Sequence, residues 1–170
     1  MALLHSHCSY CGAPYTPEQP WPRVCNACTN ITYRNPLPVA VAVVPVDNGL
    51  LMIRRAIPPV GKLALPGGFI DWGESWQAAM ARELMEETGI RIEAGAFREH
   101  CVLSSPAGHL LVFGLAPTLR ESDLPRFVST SETSERLVVV APPDDVAFPL
   151  HVQVVLAFFG LTVDRDEDGA

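Results

Sequence analysis

Segment 68–90 constrains the fold of this chain more than any other stretch. Within it, Glu83, Glu86 and Glu87 are spaced at i, i+3 and i+4, so a helix here would project all three carboxylates from one side. Like charges at this spacing repel by about 0.2 to 0.5 kcal/mol per pair. A bound cation would turn that repulsion into attraction, because Mg²⁺ and Mn²⁺ take carboxylate oxygens as ligands. The spacing therefore favours a metal-binding helix over the alternative, an acidic face in solvent.

The neighbouring residues predict where this helix begins and ends. Residues 65–68, Leu-Pro-Gly-Gly, are expected to bring a short strand into a turn that a carbonyl or a phosphate can approach closely. Asp71, Glu74 and Ser75 provide acidic or capping groups at the start of the helix. Gly89 is expected just after its last turn, in the left-handed conformation. The pattern predicts a strand, a loop, an acidic helix and a second loop.

The fixed positions of this segment resemble the signature of the Nudix hydrolase family. They are Gly68, Glu74, Arg82-Glu83-Leu84, Glu86-Glu87 and Gly89-Ile90. The resemblance implies that the helix holds divalent cations against the pyrophosphate linkage of a nucleoside diphosphate joined to another group, while water attacks one phosphorus. It also implies an α/β (α+β) fold, an α/β/α sandwich with a mixed sheet, here preceded by a small zinc ribbon.

The same resemblance assigns roles by position. Glu83 and Glu87 are the expected main ligands of the catalytic Mg²⁺ or Mn²⁺. Glu86 is expected to be an additional ligand or the base, and the carbonyl of Gly67 a further ligand. Arg82, which we count among the catalytic residues, is expected to support these ligands.

Two later glutamates, Glu132 and Glu135, lie at the end of a polar, irregular stretch, just before a predicted strand that starts at Leu137. A loop in this place could bring a carboxylate over the metal site, and the alternative is a solvated loop charge. In several Nudix groups a glutamate from a late loop acts as base or extra ligand. Both residues are therefore candidates for the base, and Glu135 is slightly favoured because it is nearer the strand that would anchor it.

The N-terminal segment contains two C-x₂-C pairs whose spacing is typical of a zinc ribbon. The four residues are Cys8, Cys11, Cys25 and Cys28. The intervening sequence is rich in proline and poor in apolar residues, so it needs a cross-link to stay folded. Disulfides are one alternative to zinc, and His5 or His7 are alternative ligands. A site closed by four thiolates has no open position, so the zinc is expected to be structural.

Segment boundaries follow from these patterns. We expect a zinc ribbon over residues 1–35, a Nudix hydrolase domain over 36–163 and a disordered acidic tail over 164–170. Within the domain, strands are predicted at 38–44, 50–55, 91–103, 109–115 and 137–140, with a second helix at 151–159. Arg54 and Arg55 end a strand before a proline-rich loop, where they meet substrate phosphates or remain solvated edge charges.

Composition narrows the class of partner. The net charge is −7 and Lys62 is the only lysine, which gives no electrostatic footprint for duplex nucleic acid. The sequence shows neither an export signal nor an apolar run of membrane-spanning length, so we expect a cytoplasmic location without membrane partners. A homodimer is compatible with the resemblance, because Nudix proteins and ribbons both often dimerise.

The expected substrate is a small-molecule dinucleotide or another nucleoside diphosphate derivative, with FAD or ADP-ribose favoured. One alternative is an NADH pyrophosphatase, but that group carries a Ser-Gln-Pro-Trp-Pro-like motif after the Nudix signature, where residues 103–106 read Leu-Ser-Ser-Pro. The other alternative is a nucleotide-sensing module that uses the ribbon for partner contact. Four aromatic residues are candidates for stacking on a base, although core positions are the stronger expectation: Phe69, Trp72, Trp76 and Phe113.

Overall fold

The computed structural model describes residues 5–161. Contacts within the chain divide it into two compact units, and the boundary along the sequence lies between Pro36 and Leu37. In the first unit, β1 (Arg23–Val24) pairs with β2 (Ile31–Thr32) in an antiparallel sheet. The predicted acidic tail, residues 164–170, lies outside the described residues.

The second unit contains eight strands and two helices among the described residues. In chain order they are β3 (Leu37–Val43), β4 (Pro45–Val46), β5 (Gly49–Arg55), β6 (Leu63–Ala64), β7 (Gly67–Phe69), α1 (Trp76–Thr88), β8 (Arg98–Ser105), β9 (His109–Leu115), β10 (Thr133–Val139) and α2 (Pro149–Phe158). Short 3₁₀ turns lie at Ala94–Ala96 and Glu121–Asp123.

These strands form two sheets. The mixed sheet has the order β7-β3-β9-β8, with β3 and β9 parallel and the other two pairs antiparallel. The second sheet is antiparallel, with the order β10-β5-β4 and β6 added to β5. Asp47, with φ 46°, forms the tight turn between β4 and β5 that its Asp-Asn-Gly sequence predicts.

Alternating side chains of β3 show how the helices enclose the sheets. Ala40 and Ala42 belong to the apolar cluster that contains Met80 of α1. Val41 and Val43 point the other way, into the cluster that contains residues of α2. The predicted fold class, an α/β/α sandwich with a mixed sheet, is confirmed.

Helix α1 begins and ends where its sequence predicts. Ser75 is the N-cap, and its Oγ accepts a hydrogen bond from the Ala78 N–H at 3.2 Å. Gly89, with φ 74°, follows the last turn and donates its N–H to the Met85 carbonyl at 2.9 Å. One face of the helix is buried in the core, which leaves the glutamate face available for chemistry.

Three predicted elements were wrong in detail. The strand expected at 137–140 begins four residues earlier, because Thr133 already pairs with Arg55 of β5. The expected turn at 65–68 is partly a strand, because β7 pairs with β3. A Cβ on Gly67 would overlap the Ala40 carbonyl, so only glycine allows this close pairing. The strand expected from residue 91 starts at Arg98, because Ala94–Ala96 forms a 3₁₀ turn first.

The second helix, predicted at 151–159, is confirmed as α2 (Pro149–Phe158). Neither helix between residues 5 and 161 has the length and apolar run that crossing a bilayer requires.

Candidate active site

An open cavity of about 720 Å³ lies in the second unit, at the glutamate face of α1. Its acidic lining comprises Asp71, Glu83, Glu86, Glu87 and Glu132. Its basic lining comprises Arg55 and Arg82, and its aromatic and imidazole lining comprises Phe69, His109, Phe148 and His151. The structure thus brings all three predicted helix glutamates together with a late-loop glutamate.

Glu87 is the buried member of the acidic group, and Glu83 is partly buried. Glu87 is only 6% exposed, and burial raises its pKa to about 8 although the Gly67 N–H donates to its Oε2 at 2.8 Å. Burial also raises the pKa of Glu83, even though Arg82 donates to it. Two carboxylates whose pKa values are raised by burial are a donor set that a divalent cation would stabilise.

Arg82 holds the helix carboxylates in place. Its guanidinium donates to Glu74 at 3.0 Å, to Glu83 at 2.7 Å and to the Phe69 carbonyl at 3.1 Å. A longer contact of 3.4 Å reaches the exposed Glu86. The hydrogen bond from Arg82 also lowers the pKa of Glu74. These contacts fit the supporting role expected for Arg82.

The structure separates the two late glutamates. Glu132 lines the cavity, and its charge contributes to the raised pKa of both Glu83 and Glu87. Glu135 lies within β10, where its Oε2 accepts a hydrogen bond from Arg54 Nε at 2.7 Å, and it is not part of the cavity lining. Of the two late glutamates, the one that precedes β10 is thus in the cavity lining, and the one within β10 is not.

The two glycines of β7 create the space for the buried carboxylates. The carboxylate of Glu83 occupies the position that a side chain on Gly68 would fill. The backbone N–H of Gly67 orients Glu87. A pair of residues without side chains is thus a geometric requirement of this acidic site.

Replacing Gly68 with Ala is expected to displace Glu83 and to weaken Mn²⁺ binding by about ten- to a hundredfold. Gly95→Ala is the matched control, because a Cβ there meets nothing within 4 Å. Calorimetric titration of Mn²⁺ into both variants and wild type measures the effect. Equal Mn²⁺ affinity in all three proteins would show that Glu83 does not need this space.

The four N-terminal cysteines form one group. Their sulfurs all lie within 4.8 Å of one another, and the group contains neither His5 nor His7. The closest contacts are 3.7 Å between Cys8 and Cys28 and 3.6 Å between Cys11 and Cys25, which are too long for disulfide bonds.

The pKa values of three of these four cysteines are shifted by their surroundings. Burial raises the pKa of Cys8, but backbone N–H donors from Cys11 and Tyr10 outweigh it and hold the pKa at about 6. The backbone N–H of Asn30 lowers the pKa of Cys28. A backbone N–H from Ala13 acts to lower the pKa of Cys11, but the neighbouring thiols of Cys28 and Cys25 raise it to about 12. The neighbouring sulfurs thus oppose the ionisation of Cys11, and all four groups can be thiolates together only around a positive ion.

Purified protein is expected to contain about one zinc ion per chain, which mild EDTA does not remove. Elemental analysis before and after EDTA treatment measures the content. Intact mass under denaturing, non-reducing conditions provides the contrast, because two disulfides would lower the mass by four hydrogens. A zinc-free protein with that lower mass would contradict the assignment.

The aromatic candidates divide between core and cavity. Phe113 is fully buried and Trp76 packs against the α1-side core, as expected. Trp72, however, is fully exposed, so the expectation of a core position was wrong there. Phe69 is 53% exposed and lines the cavity, with its ring centroid 5.9 Å from that of His109. Phe69 and His109 are therefore the aromatic surface available to a ligand.

The sequence interpretation missed His151, which is only 6% exposed and lines the cavity. Its Nδ1 accepts a hydrogen bond from the Leu65 N–H at 3.2 Å. Burial, with a smaller contribution from the charge of Arg55, lowers its pKa to about 4. The only sequence signal was a lone histidine at the start of an apolar helix.

Of the two strand-end arginines, Arg55 lines the cavity and Arg54 instead pairs with Glu135 and Asp145.

Comparison with known proteins places this geometry in a family. A family model described as NUDIX domain matches residues 36–154. A NAD-capped RNA hydrolase, NudC from Salmonella typhi, is 31% identical over 90 residues. That match covers 52% of this chain and 35% of NudC, so the chain spans about a third of the length of this curated relative.

Solved structures agree on the fold. A NUDIX hydrolase from Nitrosomonas europaea superposes with a TM-score of 0.68 at 26% identity, over 93% of this chain and 95% of that one. A bifunctional NMN adenylyltransferase/ADP ribose pyrophosphatase from Francisella tularensis gives a TM-score of 0.63 at 23% identity, over 75% of this chain and 42% of that one. At 23% identity, the similarity to the Francisella tularensis protein is one of fold alone. With the family model covering the cavity and its acidic helix, the chain belongs to the NUDIX family.

Proposed function

We propose that this chain is a divalent-metal-dependent pyrophosphohydrolase that cleaves the phosphoanhydride bond of a nucleoside diphosphate linked to another group. The observation that carries the proposal is the convergence of Glu83, Glu86, Glu87 and Glu132 on one cavity. Of these four, Glu87 is buried, and a buried carboxylate among like charges destabilises a fold unless a cation or a proton neutralises it. Their convergence here supports a site built for a metal.

The donor chemistry fits Mg²⁺ or Mn²⁺. Glu83 and Glu87 would be the main ligands, with Glu86 and the Gly67 carbonyl as further oxygen donors. A divalent cation held there would neutralise negative charge on the pyrophosphate and lower the pKa of the attacking water. Arg82 keeps the ligand side chains in one orientation through its contacts with Glu74 and Glu83.

Glu132 is the proposed proton acceptor. It lines the cavity from the segment before β10, apart from the helix that carries the other three carboxylates. A base on a separate element can receive the proton from water without giving up a role as ligand. Glu86, exposed and only weakly contacted by Arg82, is the alternative base.

The proposed substrates are FAD or ADP-ribose. The rings of Phe69 and His109 line the cavity, where a base could stack on them. A substrate that contains NAD is the second candidate, because the NudC relative is named for NAD-capped RNA. The sequence at residues 103–106 departs from the NADH pyrophosphatase motif, which favours the first candidate.

A substrate panel tests the proposal. FAD, ADP-ribose, NADH, CDP-alcohols and nucleoside triphosphates are each incubated with Mg²⁺ or Mn²⁺. Products are identified by chromatography and by the phosphate that an added phosphatase releases from the monophosphate products. Cleavage of FAD or ADP-ribose into two monophosphates is expected, and NADH cleavage would shift the assignment to the second candidate. If no compound turns over with either metal, the nucleotide-sensing module is the better description.

The N-terminal unit has a structural role in this proposal. We take residues 1–35 as a zinc ribbon and 36–163 as the hydrolase domain. Four thiolates complete a tetrahedral zinc shell and leave no position for substrate. The zinc therefore stabilises the first unit, and the chemistry is confined to the second.

A further inference from the structure

A second group of cavity residues offers hydrogen-bond donors instead of carboxylates. It consists of Arg55, His151 and the first turn of α2, and these residues line the same cavity as the glutamates. Arg55 was expected from the sequence to meet substrate phosphates or remain a solvated charge, and no role has yet been given to His151 or to the first turn of α2. Their geometry indicates which chemical group they can receive.

His151 is fixed as a neutral donor. Because Nδ1 accepts from the Leu65 N–H at 3.2 Å, the ring proton lies on Nε2. The rings of Phe113 and Phe148, with centroids 5.7 and 5.0 Å from that of His151, hold the imidazole in place. Burial keeps the ring uncharged, with its pKa lowered to about 4. Among the described residues the only hydrogen bond of the His151 ring is the one at Nδ1, and His151 lines the cavity, so its Nε2–H is available to a ligand there.

The first turn of α2 adds backbone donors beside His151. Phe148, at the N-cap, has no side-chain group to cap the helix, and Pro149 follows it in the first turn. The N–H groups of Leu150 and His151 belong to the first turn, which has no acceptors within the helix. All four residues line the cavity. The N-terminal turn of α2 therefore borders the same cavity as His151, and a helix N-terminus favours an anion beside it.

Arg55 supplies the positive charge. One of its nitrogens, Nη2, donates to the Pro58 carbonyl at 2.7 Å, and the guanidinium lies 5.0 Å from the centre of the Phe148 ring. Nε has no partner among residues 5–161. The charge of Arg55 acts to lower the pKa of both Glu87 and His151, so it lies within electrostatic range of the carboxylates and the imidazole.

These groups are all donors. The lone pair of His151 Nδ1 is already used by Leu65, and neither a guanidinium nor a backbone N–H can accept a hydrogen bond. A neutral nucleobase presents both donors and acceptors, whereas a phosphoryl group presents only acceptors and negative charge. The set therefore matches an anionic phosphoryl group.

We propose that His151 Nε2–H, the first-turn N–H groups of α2 and Arg55 form an anion subsite for a phosphoryl group of the substrate, next to the carboxylate site. Assigning that group to a substrate rests on the proposed function. The subsite would hold one phosphoryl group of the pyrophosphate by hydrogen bonds, while the carboxylates hold the cation for the other. Binding by this subsite requires no divalent metal.

Titration of inorganic phosphate into the full chain in the presence of EDTA tests the subsite without any turnover. His151→Asn keeps an acceptor near the Leu65 N–H but removes the Nε2 donor, and it is expected to weaken phosphate binding about tenfold or more. His100→Asn is the matched control, because His100 is exposed and outside the cavity lining, and it should bind phosphate as wild type does. Calorimetry measures the affinity, and thermal unfolding confirms that each variant is folded.

A second measurement uses the unmodified protein in case His151→Asn fails to fold. In ¹⁵N–¹H spectra of the imidazole groups, phosphate should shift the Nε2 resonance of His151 and leave that of His100 unchanged. Equal phosphate affinity in the folded variant, or an unshifted His151 resonance, would overturn the subsite. Phosphate binding of this kind in a protein that hydrolyses nothing would support the subsite and reject the proposed function alone.

Discussion

Replacing Glu87 with Gln is expected to lower turnover by on the order of a hundredfold or more while it stabilises the metal-free protein. Both effects have one cause. Glu87 is 6% exposed, so its negative charge destabilises the folded protein unless a bound cation neutralises it. An active-site residue that opposes folding is a signature of function, whereas a structural residue would lose stability on replacement.

The pH dependence of the stability of the metal-free protein follows from the raised pKa of Glu87. Burial raises the pKa of Glu87 from 4.5 to about 8, so the folded state binds this proton more tightly than the unfolded state does. The charged form thus destabilises the metal-free fold, with no effect below pH 4.5, a growing effect as pH rises, and the full effect above about pH 8. The expected loss for wild type is on the order of a few kcal/mol across this window.

Urea unfolding in EDTA at pH 5 and pH 8 measures this difference for wild type and Glu87→Gln. The variant should lose less stability between the two pH values. Glu86→Gln changes the same charge at an exposed position on the same helix, so its stability should follow that of wild type. A Glu87→Gln protein that is less stable than wild type at pH 8, or that turns over substrate normally, would contradict the assignment.

Glu132→Gln is expected to lower kcat by about a hundredfold or more at saturating Mg²⁺, with nearly unchanged affinity for substrate and metal. The reason is that a base acts mainly in the transition state. Glu135→Gln is the matched control three residues along the chain, and it should retain kcat. It loses only a partly exposed ion pair with Arg54, worth about 0 to 1 kcal/mol of stability.

Steady-state kinetics and Mn²⁺ titration of both variants separate these roles. Loss of metal affinity in Glu132→Gln would identify Glu132 as a ligand instead. Unchanged kcat in both variants would move the base to α1, with Glu86 the leading candidate. Loss of kcat in Glu135→Gln alone would mean that the cavity forms differently when substrate is bound.

The acidic helix could be predicted because its information is local. The spacing of Glu83, Glu86 and Glu87 determines which side of a helix they share, whatever that helix packs against. Ser75 and Gly89 mark the helix ends through contacts within one turn. The glutamates of α1 that we propose as metal ligands, and the limits of the helix, were therefore available from the sequence.

Other features depend on contacts between distant segments. Glu132 and Glu135 differ in position only because β10 begins at Thr133, and the sequence does not specify that boundary to within two residues. β7 is a strand because β3 lies beside it. His151 lies beside the carboxylate site only because α2 packs against the sheet. The apolar sequence of α2 predicts that the helix is packed, but it does not predict which residue points toward the cavity.

The central claim, metal-dependent attack of water on a pyrophosphate by this cavity, is tested most directly by hydrolysis of the preferred substrate in H₂¹⁸O with Mg²⁺. Mass spectrometry of the products should show one ¹⁸O in one of the two monophosphates, and EDTA should abolish its formation. Turnover that persists in EDTA, or products that carry no ¹⁸O, would contradict the account.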